Sequence, residues 1–435
     1  MAVAPEDIRL LVNPRFRRLL EARLLGQTAQ NAMLYALLIL VVEDSGSSLQ
    51  SAILVAAFTL PGIVLSLPAG AAADVIAKRL TLTLGYLLRA LIAAALIYYG
   101  DDDLVYIYLF AAASSVVSQF FSPAEAATVP SLVRREQLTA ANSWMLFILI
   151  LGQIAGMVVM APLLLKALDA RAVFVACTAL FLIATYVIGW MASGFSEKRE
   201  KKPAAPGFVE MTREGFRILR NNRRAYLSTI YLTTALALSR VLVVLLPKYT
   251  ENVLNIKAED TVFIAAPAAL GAGIGLLLAP PLARLIDAWR IVAPAFVLFL
   301  LGLIALGLSV YVEDAIRGRF DLGTIDLGEE TFGVSGAITV SMILAVPLGF
   351  AFTLVSVASR VVMNQQAPPE AQGRVYAVQM ALGDLLSLPL LLLVGVAADS
   401  VGVRATLLAA SLTAAAGAIY LTFWRRSGSP IVAPE

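Results

Sequence analysis

Twelve apolar stretches, each long enough to cross a bilayer as a helix, constrain this chain more than any other feature. A bilayer core of about 30 Å takes about 20 apolar residues in a helix. Hydrophobic residues make up 60% of the 435 residues and charged residues 14%, whereas a soluble domain carries about 25% charged residues. No stretch shows the two-residue alternation of a membrane β-barrel. We therefore predict an all-α membrane protein with twelve transmembrane helices. The predicted spans, numbered 1 to 12, cover residues 18–42, 50–73, 80–99, 104–126, 138–165, 171–193, 225–247, 261–283, 291–311, 336–361, 373–396 and 403–424.

Lysine and arginine residues in the short loops predict the orientation, because cytoplasmic loops are enriched in these residues. With the N-terminus in the cytoplasm, the loops on the opposite side hold acidic residues, including the run from Asp101 to Asp103. An even number of spans returns the C-terminus to the cytoplasm. We expect a multi-pass protein of a bacterial-type cytoplasmic (inner) membrane. The basic residues on its cytoplasmic side are Lys78, Arg79, Arg134, Arg135, Arg284, Arg290, Arg374, Arg425 and Arg426.

A basic segment, residues 194–224, separates the first six spans from the last six. This plan is typical of transporters built from two pseudo-symmetric six-helix halves, here residues 1–193 and 225–435. The second part of the segment is amphipathic, with Phe208 and Leu219 opposite several arginines. Two interpretations stay open, a helix that lies on anionic membrane lipid and a linker helix packed under the bundle.

The residue types that are absent restrict the chemistry. The sequence has no histidine and a single cysteine, Cys177. This composition excludes histidine metal sites, histidine-based catalytic triads and an intrachain disulfide, and leaves carboxylates to carry any proton chemistry. The sequence also lacks a phosphate-binding loop followed by Lys-Ser/Thr. We expect no enzymatic activity, no cofactor, no metal and no nucleic-acid partner, and a monomeric chain.

Polar side chains recur at helical spacing in spans 1, 4, 7 and 10, the first members of successive triplets. Polar groups inside a membrane are costly and normally face a bundle interior or an aqueous cavity, so we expect these helices to line a substrate path. For any single serine or threonine the alternative is an interhelical hydrogen bond that holds the bundle together. The candidate cavity residues are Gln27, Gln30, Asn31 and Tyr35 in span 1, Ser115 and Gln119 in span 4, Thr233 and Arg240 in span 7, and Ser356 and Arg360 in span 10.

Three charges lie deep in the predicted spans. At about 1.5 Å per residue, Arg89 lies about 14 Å into span 3 and Asp384 about 16 Å into span 11, and Arg240 lies past the middle of span 7. A carboxyl group buried in apolar surroundings binds a proton more readily, which makes Asp384 the first candidate for proton coupling. The alternative is a structural ion pair with Arg89 or Arg240. Glu21 and Glu125, near the cytoplasmic ends of their spans, are weaker candidates.

The turn between spans 2 and 3 carries a recognisable motif. The segment "GAAADVIAKR", residues 70 to 79, resembles the G-x-x-x-D-x-x-x-[KR]-[KR] signature of the major facilitator superfamily. The resemblance implies that Gly70, Asp74, Lys78 and Arg79 form a gating motif and that Asp74 stabilises the closed cytoplasmic side through the opposing half. A carboxylate is favoured at the positive N-terminal end of a helix, which fits that role.

Two further segments resemble one branch of this superfamily. Residues 120–143, "FFSPAEAATVPSLVRREQLTAANS", and residues 365–378, "QQAPPEAQGRVYAV", are similar to connections in the macrolide-efflux and enterobactin-exporter proteins, a drug:proton antiporter branch. The second segment adds Arg374 to the gating motif. The counterpart turn in the second half departs from the pattern, with Arg284 where an aspartate is common, so the gate there is expected to be weak or differently connected.

Glycines in two spans predict close helix packing. Span 5 has Gly152 and Gly156 at four-residue spacing, a pattern that lets helix backbones approach, but it lacks the glycine-proline element typical of many antiporters. Gly271, Gly273 and Gly275 in span 8 are interpreted in the same way.

Taken with the resemblance, these residues predict a secondary transporter that alternates between inward- and outward-open states. The expected activity is proton-coupled export of amphiphilic, drug-like or siderophore-like small molecules. One alternative is a lysophospholipid carrier of the same fold, since such carriers share a polar Asn-Ala element in span 1, here "QNAMLYALL". A more distant alternative is a membrane receptor or scaffold that transports nothing.

Overall fold

The structure, a computed structural model, describes residues 10–75, 77–100, 103–134, 137–191, 208–313, 335–366 and 372–424. Within these ranges the regular structure is helical and contains no strand. Twelve of the described helices are long and apolar enough to cross a membrane. The predicted all-α fold with twelve spans is therefore confirmed.

The helices extend beyond most of the predicted apolar stretches, because polar residues at both ends continue the helical backbone. Spans 1 to 4 are Pro14–Ser45, Ser48–Val75, Lys78–Tyr99 and Leu104–Leu132. Span 5 consists of Leu138–Gln153, the π-helical Ile154–Met160 and Ala161–Ala167, and span 6 is Ala170–Gly189. The helix Phe208–Asn221 precedes span 7, Arg223–Asn252. The 3-10 turn Ala258–Thr261 leads into span 8, Val262–Leu285, and spans 9 to 12 are Ala288–Gly307, Gly336–Gln366, Gln372–Val401 and Val403–Trp424.

Short polar residues determine where several helices begin. The side chain of Asp103 accepts a hydrogen bond from the backbone N–H of Val105 at the start of span 4. Asp169 caps span 6 and Asp287 caps span 9 in the same way. Such caps satisfy N–H groups that have no partner within the helix. The acidic run from Asp101 to Asp103 thus includes a helix cap.

The described chain divides into two compact units. Unit 1 comprises Met1–Ser45 and Ile53–Pro203, and unit 2 comprises Gly46–Ala52 and Ala204–Glu435. The first residues of span 2 therefore belong with unit 2, although the rest of that helix belongs with unit 1.

In unit 1, span 1 packs against spans 5 and 6. Gly156 lies against the backbone of span 1 at Thr28 and Ala32, and Gly152 lies against Gln27. A side chain at Gly156 would collide with backbone atoms, which cannot move aside as a flexible side chain can. The predicted packing role of Gly152 and Gly156 is confirmed, and the π-helical turn of span 5 lies at this contact.

In unit 2, the closest helix approach joins spans 8 and 10. Gly271 lies against the backbone of Val346, and Gly349 lies against the backbone of Ala268. Gly275 faces Phe350 and Thr353 of span 10. The packing role is therefore confirmed for Gly271 and Gly275. It is wrong for Gly273, since nothing lies within 4 Å of the position that its side chain would occupy.

The amphipathic helix Phe208–Asn221 packs onto unit 2. Its buried Leu219 joins a hydrophobic cluster with Leu232 of span 7, Met363 of span 10 and Val375 of span 11. Arg213 and Arg217 of the same helix are exposed. The packing of Leu219 fits the interpretation as a packed linker helix, and the interpretation as a helix on anionic lipid stays a prediction.

At the start of span 2, the segment that belongs with unit 2 is held by a side chain of span 11. Asp399 accepts hydrogen bonds from the backbone N–H groups of Ser48 and Leu49 at 2.8 and 3.1 Å, and from the hydroxyl of Ser47 at 2.5 Å. Lys248 of span 7 pairs with the same carboxylate at 2.6 Å. The start of span 2 is therefore capped twice, by Asp399 of a distant helix and by the preceding residue Ser47, whose hydroxyl accepts a hydrogen bond from the backbone N–H of Gln50 at 3.3 Å.

Candidate functional site

Unit 1 contains a buried ion pair between spans 1 and 4. The guanidinium of Arg23 contacts the carboxylate of Glu125, and their side chains are 15% and 7% exposed. A buried charge requires a partner, because its transfer out of water is costly. Arg23 lies about as far from the start of span 1 as Glu125 lies from the end of span 4. Because the two spans run in opposite directions, the two residues lie at a similar depth and can meet.

A second arginine lies beside this pair. Arg89 of span 3 is 5% exposed and donates a hydrogen bond to Ser118 at 2.9 Å. Its guanidinium lies 4.4 Å from the ring centroid of Phe121, a cation–π contact that is strengthened by desolvation. Arg89 also interacts electrostatically with Glu125. Within the described part of the chain, no carboxylate forms an ion pair with Arg89.

All three charged side chains of this cluster retain unused hydrogen-bonding atoms. Nε of Arg23, Nε of Arg89 and Oε1 of Glu125 are buried and have no hydrogen-bond partner among the described residues. Buried polar atoms are normally paired, so these atoms mark a site whose hydrogen bonds are incomplete. We call Arg23, Arg89 and Glu125 the unit 1 charge cluster.

Unit 2 contains an ion pair with a different environment. Arg240 of span 7 and Asp384 of span 11 are 2.8 Å apart, and their side chains are 36% and 28% exposed. One terminal nitrogen of Arg240 is nevertheless buried without a hydrogen-bond partner among the described residues. Of the two partners considered for Asp384, the structure selects Arg240. The pair lies deep in both spans, yet it is open to its surroundings.

The candidate cavity residues of unit 1 mostly form hydrogen bonds within the bundle. Ser114, which the sequence analysis did not single out, donates to Gln30 at 3.3 Å, and Ser115 donates to the backbone oxygen of Phe58 at 2.6 Å. Asn31 donates to the backbone oxygen of Gln27 at 2.8 Å. For Gln30 and Ser115 the structure thus shows the interhelical hydrogen bonds of the alternative interpretation.

The remaining candidates of unit 1 differ in exposure. Tyr35 is buried, whereas Gln27 and Gln119 are partly exposed. The amide of Gln119 lies against Gly62 of span 2. Gln27 and Gln119 therefore keep surface that a bound molecule can reach.

The candidate cavity residues of unit 2 include polar atoms without partners. Thr233 is 3% exposed, and the hydroxyl oxygens of Thr233 and Ser356 are buried with no hydrogen-bond partner among the described residues. Arg360 is exposed at the far end of span 10. Thr233 precedes Arg240 by seven residues, so the two lie on one face of span 7.

Glu21, Lys78 and Arg79 have partners other than the deep charges. Glu21 is half exposed and pairs with Arg17 at 3.3 Å on the same helix. Lys78 donates to the backbone oxygen of Ala127 at 2.9 Å, and Arg79 donates to the backbone oxygen of Gly189. These bonds tie the start of span 3 to the ends of spans 4 and 6. The side chains of Gly70, Asp74, Arg284 and Arg374 lie outside the described residues.

The sequence is matched by the model of the Major Facilitator Superfamily over residues 24–388. The chain belongs to the major facilitator superfamily. This match runs from within span 1 to within span 11, and it includes Glu125 and the Arg240–Asp384 pair. The chain is thus a multi-pass membrane protein of a transporter superfamily, and its coarse functional class as a transporter rests on that membership.

Three solved structures with similar folds are transporters or homologues of transporters. An auto-inhibited POT family peptide transporter is 14% identical with a TM-score of 0.70, and covers 97% of this chain and 99% of that chain. A bacterial homologue of the human lysosomal transporter Spinster, inward-facing and unoccupied, is 13% identical with a TM-score of 0.70 over 96% and 99%. A bacterial homologue of the iron transporter ferroportin is 15% identical with a TM-score of 0.63 over 93% and 98%. No curated protein matches the sequence. These identities establish the shared fold and leave the substrate to be inferred from the site.

Proposed function

We propose that the protein is a proton-coupled secondary transporter that exports amphiphilic, drug-like or siderophore-like small molecules. The observation that carries this proposal is the Arg240–Asp384 pair, deep in spans 7 and 11 but about one third exposed. Charges at that depth are costly and usually mark a substrate or ion pathway. Superfamily membership supplies the transporter class, and the pair supplies a carboxylate for coupling.

Proton uptake by Asp384 is the proposed coupling step. When Asp384 binds a proton, its negative charge is lost and Arg240 loses its counter-ion. Arg240 is then released to take another partner, because its partly exposed guanidinium is no longer held beside a charged carboxylate. Proton binding is thereby linked to a rearrangement between two helices of unit 2. Thr233 and Ser356, with their unpaired hydroxyls, are the proposed polar contacts for the substrate.

Substrate-driven proton flux in proteoliposomes tests this proposal. Purified protein is reconstituted with an internal pH-sensitive dye, and a catecholate siderophore, a cationic drug or a lysophospholipid is added outside. We expect flux with at least one of the first two compounds, reduced at least about tenfold in Asp384→Asn. Asp103→Asn is the matched control, because asparagine still caps a helix and the substitution removes a carboxylate outside the described pairs.

Movement of lysophospholipid without proton flux, unchanged in Asp384→Asn, would contradict the exporter and support the lipid carrier of the same fold. Binding of all three compounds without movement of any would support a receptor or scaffold instead. Flux that persists in Asp384→Asn but disappears in Glu125→Gln or Glu21→Gln would move the coupling site to one of these weaker candidates.

We also infer that both termini are cytoplasmic and that the protein resides in the inner membrane. Cys177 is the single cysteine of the sequence, so Cys177→Ser gives a background without cysteine. Cys177 is buried and donates a hydrogen bond to the backbone oxygen of Ala29, which a serine hydroxyl can also do. In that background, Lys78→Cys should react with a membrane-impermeant thiol reagent only from the cytoplasmic side. Labelling from outside intact cells would reverse the orientation.

The proposed gate on the cytoplasmic side consists of Gly70, Asp74, Lys78, Arg79 and Arg374. The observed bonds of Lys78 and Arg79 to backbone oxygens support a fixed position for this turn. We expect Asp74→Asn to slow transport without abolishing substrate binding, as measured by initial rates against equilibrium binding. Equal losses of both would contradict a gating role.

Membrane lipid is the proposed partner of the helix Phe208–Asn221. The packing of Leu219 against unit 2 and the exposure of Arg213 and Arg217 support contact of the arginines with anionic headgroups. Each basic residue near an anionic surface contributes about 1 kcal/mol. The test compares transport by the wild type and by a double Arg213→Gln, Arg217→Gln variant in proteoliposomes of different anionic lipid content. Transport that does not depend on this content in either protein would argue against lipid as the partner.

A further inference from the structure

We propose that Arg23 binds an anionic group of the substrate, that Glu125 occupies this site as an internal substitute in the observed state, and that Arg89 receives the carboxylate of Glu125 when the substrate displaces it. This inference deepens the proposed function, on which it rests, by assigning the substrate class. The substrate would be an amphiphile that carries a carboxylate or a phosphate.

The first argument is the charge balance of the unit 1 charge cluster. Two arginines share one carboxylate, and only Arg23 is in contact with it. The positive charge of Arg89 is compensated by a hydrogen bond to Ser118, by the ring of Phe121 and by a longer-range interaction with Glu125. A surplus positive charge in an apolar interior attracts an anion from outside and repels a cation, with little screening by water.

The second argument is the hydrogen-bonding capacity that remains. Nε of Arg23 and Nε of Arg89 are unused donors, and Oε1 of Glu125 is an unused acceptor. The planar guanidinium matches carboxylate and phosphate oxygens with two parallel hydrogen bonds. An oxyanion with two acceptor oxygens would therefore use the unpaired Nε of Arg23 together with the nitrogen that Glu125 vacates, and the unpaired Nε of Arg89 would remain for Glu125.

The third argument concerns the fate of Glu125 when a ligand arrives. An anion that binds Arg23 displaces the carboxylate of Glu125, which would be costly to leave without a partner. Arg89 is buried beside Glu125 and has a free Nε, so it is positioned to receive the displaced carboxylate. Arg23, the more exposed of the two arginines, then meets the substrate, and Arg89 acts through Glu125 as a positioning residue.

The test is binding of matched amphiphiles to the purified full-length protein in maltoside detergent. Octyl phosphate and octanoate carry the two candidate anionic groups, and octyltrimethylammonium carries the same alkyl chain with a positive charge. The readout is the ligand-induced rise in the midpoint of thermal unfolding, titrated to an apparent Kd. The comparison of octyl phosphate with octanoate distinguishes a phosphate from a carboxylate ligand.

The decisive variant is Glu125→Gln, which removes the internal competitor. We expect octyl phosphate or octanoate to bind the wild type, and to bind Glu125→Gln about tenfold more tightly, because a displaced charge-assisted hydrogen bond no longer competes. Arg23→Met should lose the response. Arg404→Met is the control for loss of a guanidinium, since Arg404 bonds to Gly307 and covers Tyr311 in unit 2, and should respond like the wild type.

Arg89→Met, and Arg89→Lys if the first variant does not fold, should weaken anion binding in the wild-type background but not in Glu125→Gln. If Arg89→Met has no effect on anion binding in Glu125→Gln, Arg89 acts by positioning Glu125 and is not merely structural. Unchanged or weaker anion binding in Glu125→Gln, or a stronger response to octyltrimethylammonium than to the anions, would overturn the proposal. Because the assay measures binding alone, this result is independent of proton flux, and failure of the coupling proposal would leave it standing.

Discussion

Each unit contains one arginine–carboxylate pair, but the two pairs have opposite surroundings. Arg23 and Glu125 in unit 1 are nearly buried and adjoin a third charge, whereas Arg240 and Asp384 in unit 2 are about one third exposed. Burial makes an ion pair expensive to form and still more expensive to break. Exposure lets water compensate for the loss of one partner. The same residue chemistry therefore provides a firmly held cluster in unit 1 and an easily rearranged pair in unit 2.

The closest helix contacts differ between the units as well. In unit 1, Gly152 and Gly156 bring span 5 onto span 1, so the helix that carries Arg23 is fixed on one side by backbone contact. In unit 2, Gly271 and Gly349 bring span 8 onto span 10, and neither of these helices carries the Arg240–Asp384 pair. Span 7 and span 11 are joined by the pair without such a glycine contact between them among the described residues. This difference supports movement at the pair in unit 2.

The largest effect should come from breaking the buried pair. Arg23→Met leaves Glu125 without its contacting partner, which typically costs about 3–5 kcal/mol, and we expect the lower end because Arg89 is close. The free energy of unfolding, measured by denaturant titration in mixed micelles, checks this. Arg23→Met combined with Glu125→Gln should recover most of the loss. A single variant as stable as the wild type would remove the distinction between the two pairs.

A smaller effect is expected at the glycine contacts of unit 2. Gly271→Val places methyl groups against the backbone of Val346, and overpacking of this kind costs about 1–3 kcal/mol. Gly273→Val is the matched control two residues away, where the structure leaves open space. Unfolding of the two variants is compared in the same micelles. Equal stability of Gly271→Val and Gly273→Val would mean that spans 8 and 10 are not held by this approach.

The smallest effect on stability should come from the open pair. Arg240→Met removes a partner that is 36% exposed, and exposed pairs contribute about 0.2–1 kcal/mol. We expect a change of that size in the free energy of unfolding, together with loss of substrate-driven proton flux. A destabilisation as large as that of Arg23→Met would show that the unit 2 pair is structural, and would weaken the proposed coupling role of Asp384.

Hydropathy alone was sufficient to predict the fold. Twelve apolar stretches require twelve helices, since a helix satisfies every backbone group inside a membrane. The depths of charged residues were also predictable, and the matching depths of Arg23 and Glu125 in antiparallel spans were a signal for their pairing that the sequence analysis did not use. For Asp384, depth allowed Arg89 and Arg240 equally. The rotation of each helix about its axis decides between them, and hydropathy does not determine that rotation.

The polar stripes illustrate the same limit. Gln30 and Ser115 lie at the spacing expected of cavity residues, yet both form hydrogen bonds with neighbouring helices. A stripe predicts that one face is turned away from lipid. It does not distinguish a neighbouring helix from a cavity, because both satisfy the same polar groups. Thr233 and Ser356 have hydroxyls without a partner among the described residues. Only the three-dimensional structure distinguishes them from the stripe residues that bond to a neighbouring helix.

The cap that Asp399 provides for span 2 has a consequence for biogenesis. Asp399 is translated 351 residues after Ser48, which at about 5–20 residues per second corresponds to a delay of about 20–70 s. During that interval the first amide groups of span 2 lack the carboxylate that satisfies them in the finished protein. In a ribosome-bound or truncated chain that ends before span 11, span 2 therefore keeps only its local cap, the hydroxyl of Ser47 that accepts from the backbone N–H of Gln50. The N-terminal end of that helix is completed among the last steps of membrane assembly, although it is among the first to be synthesised.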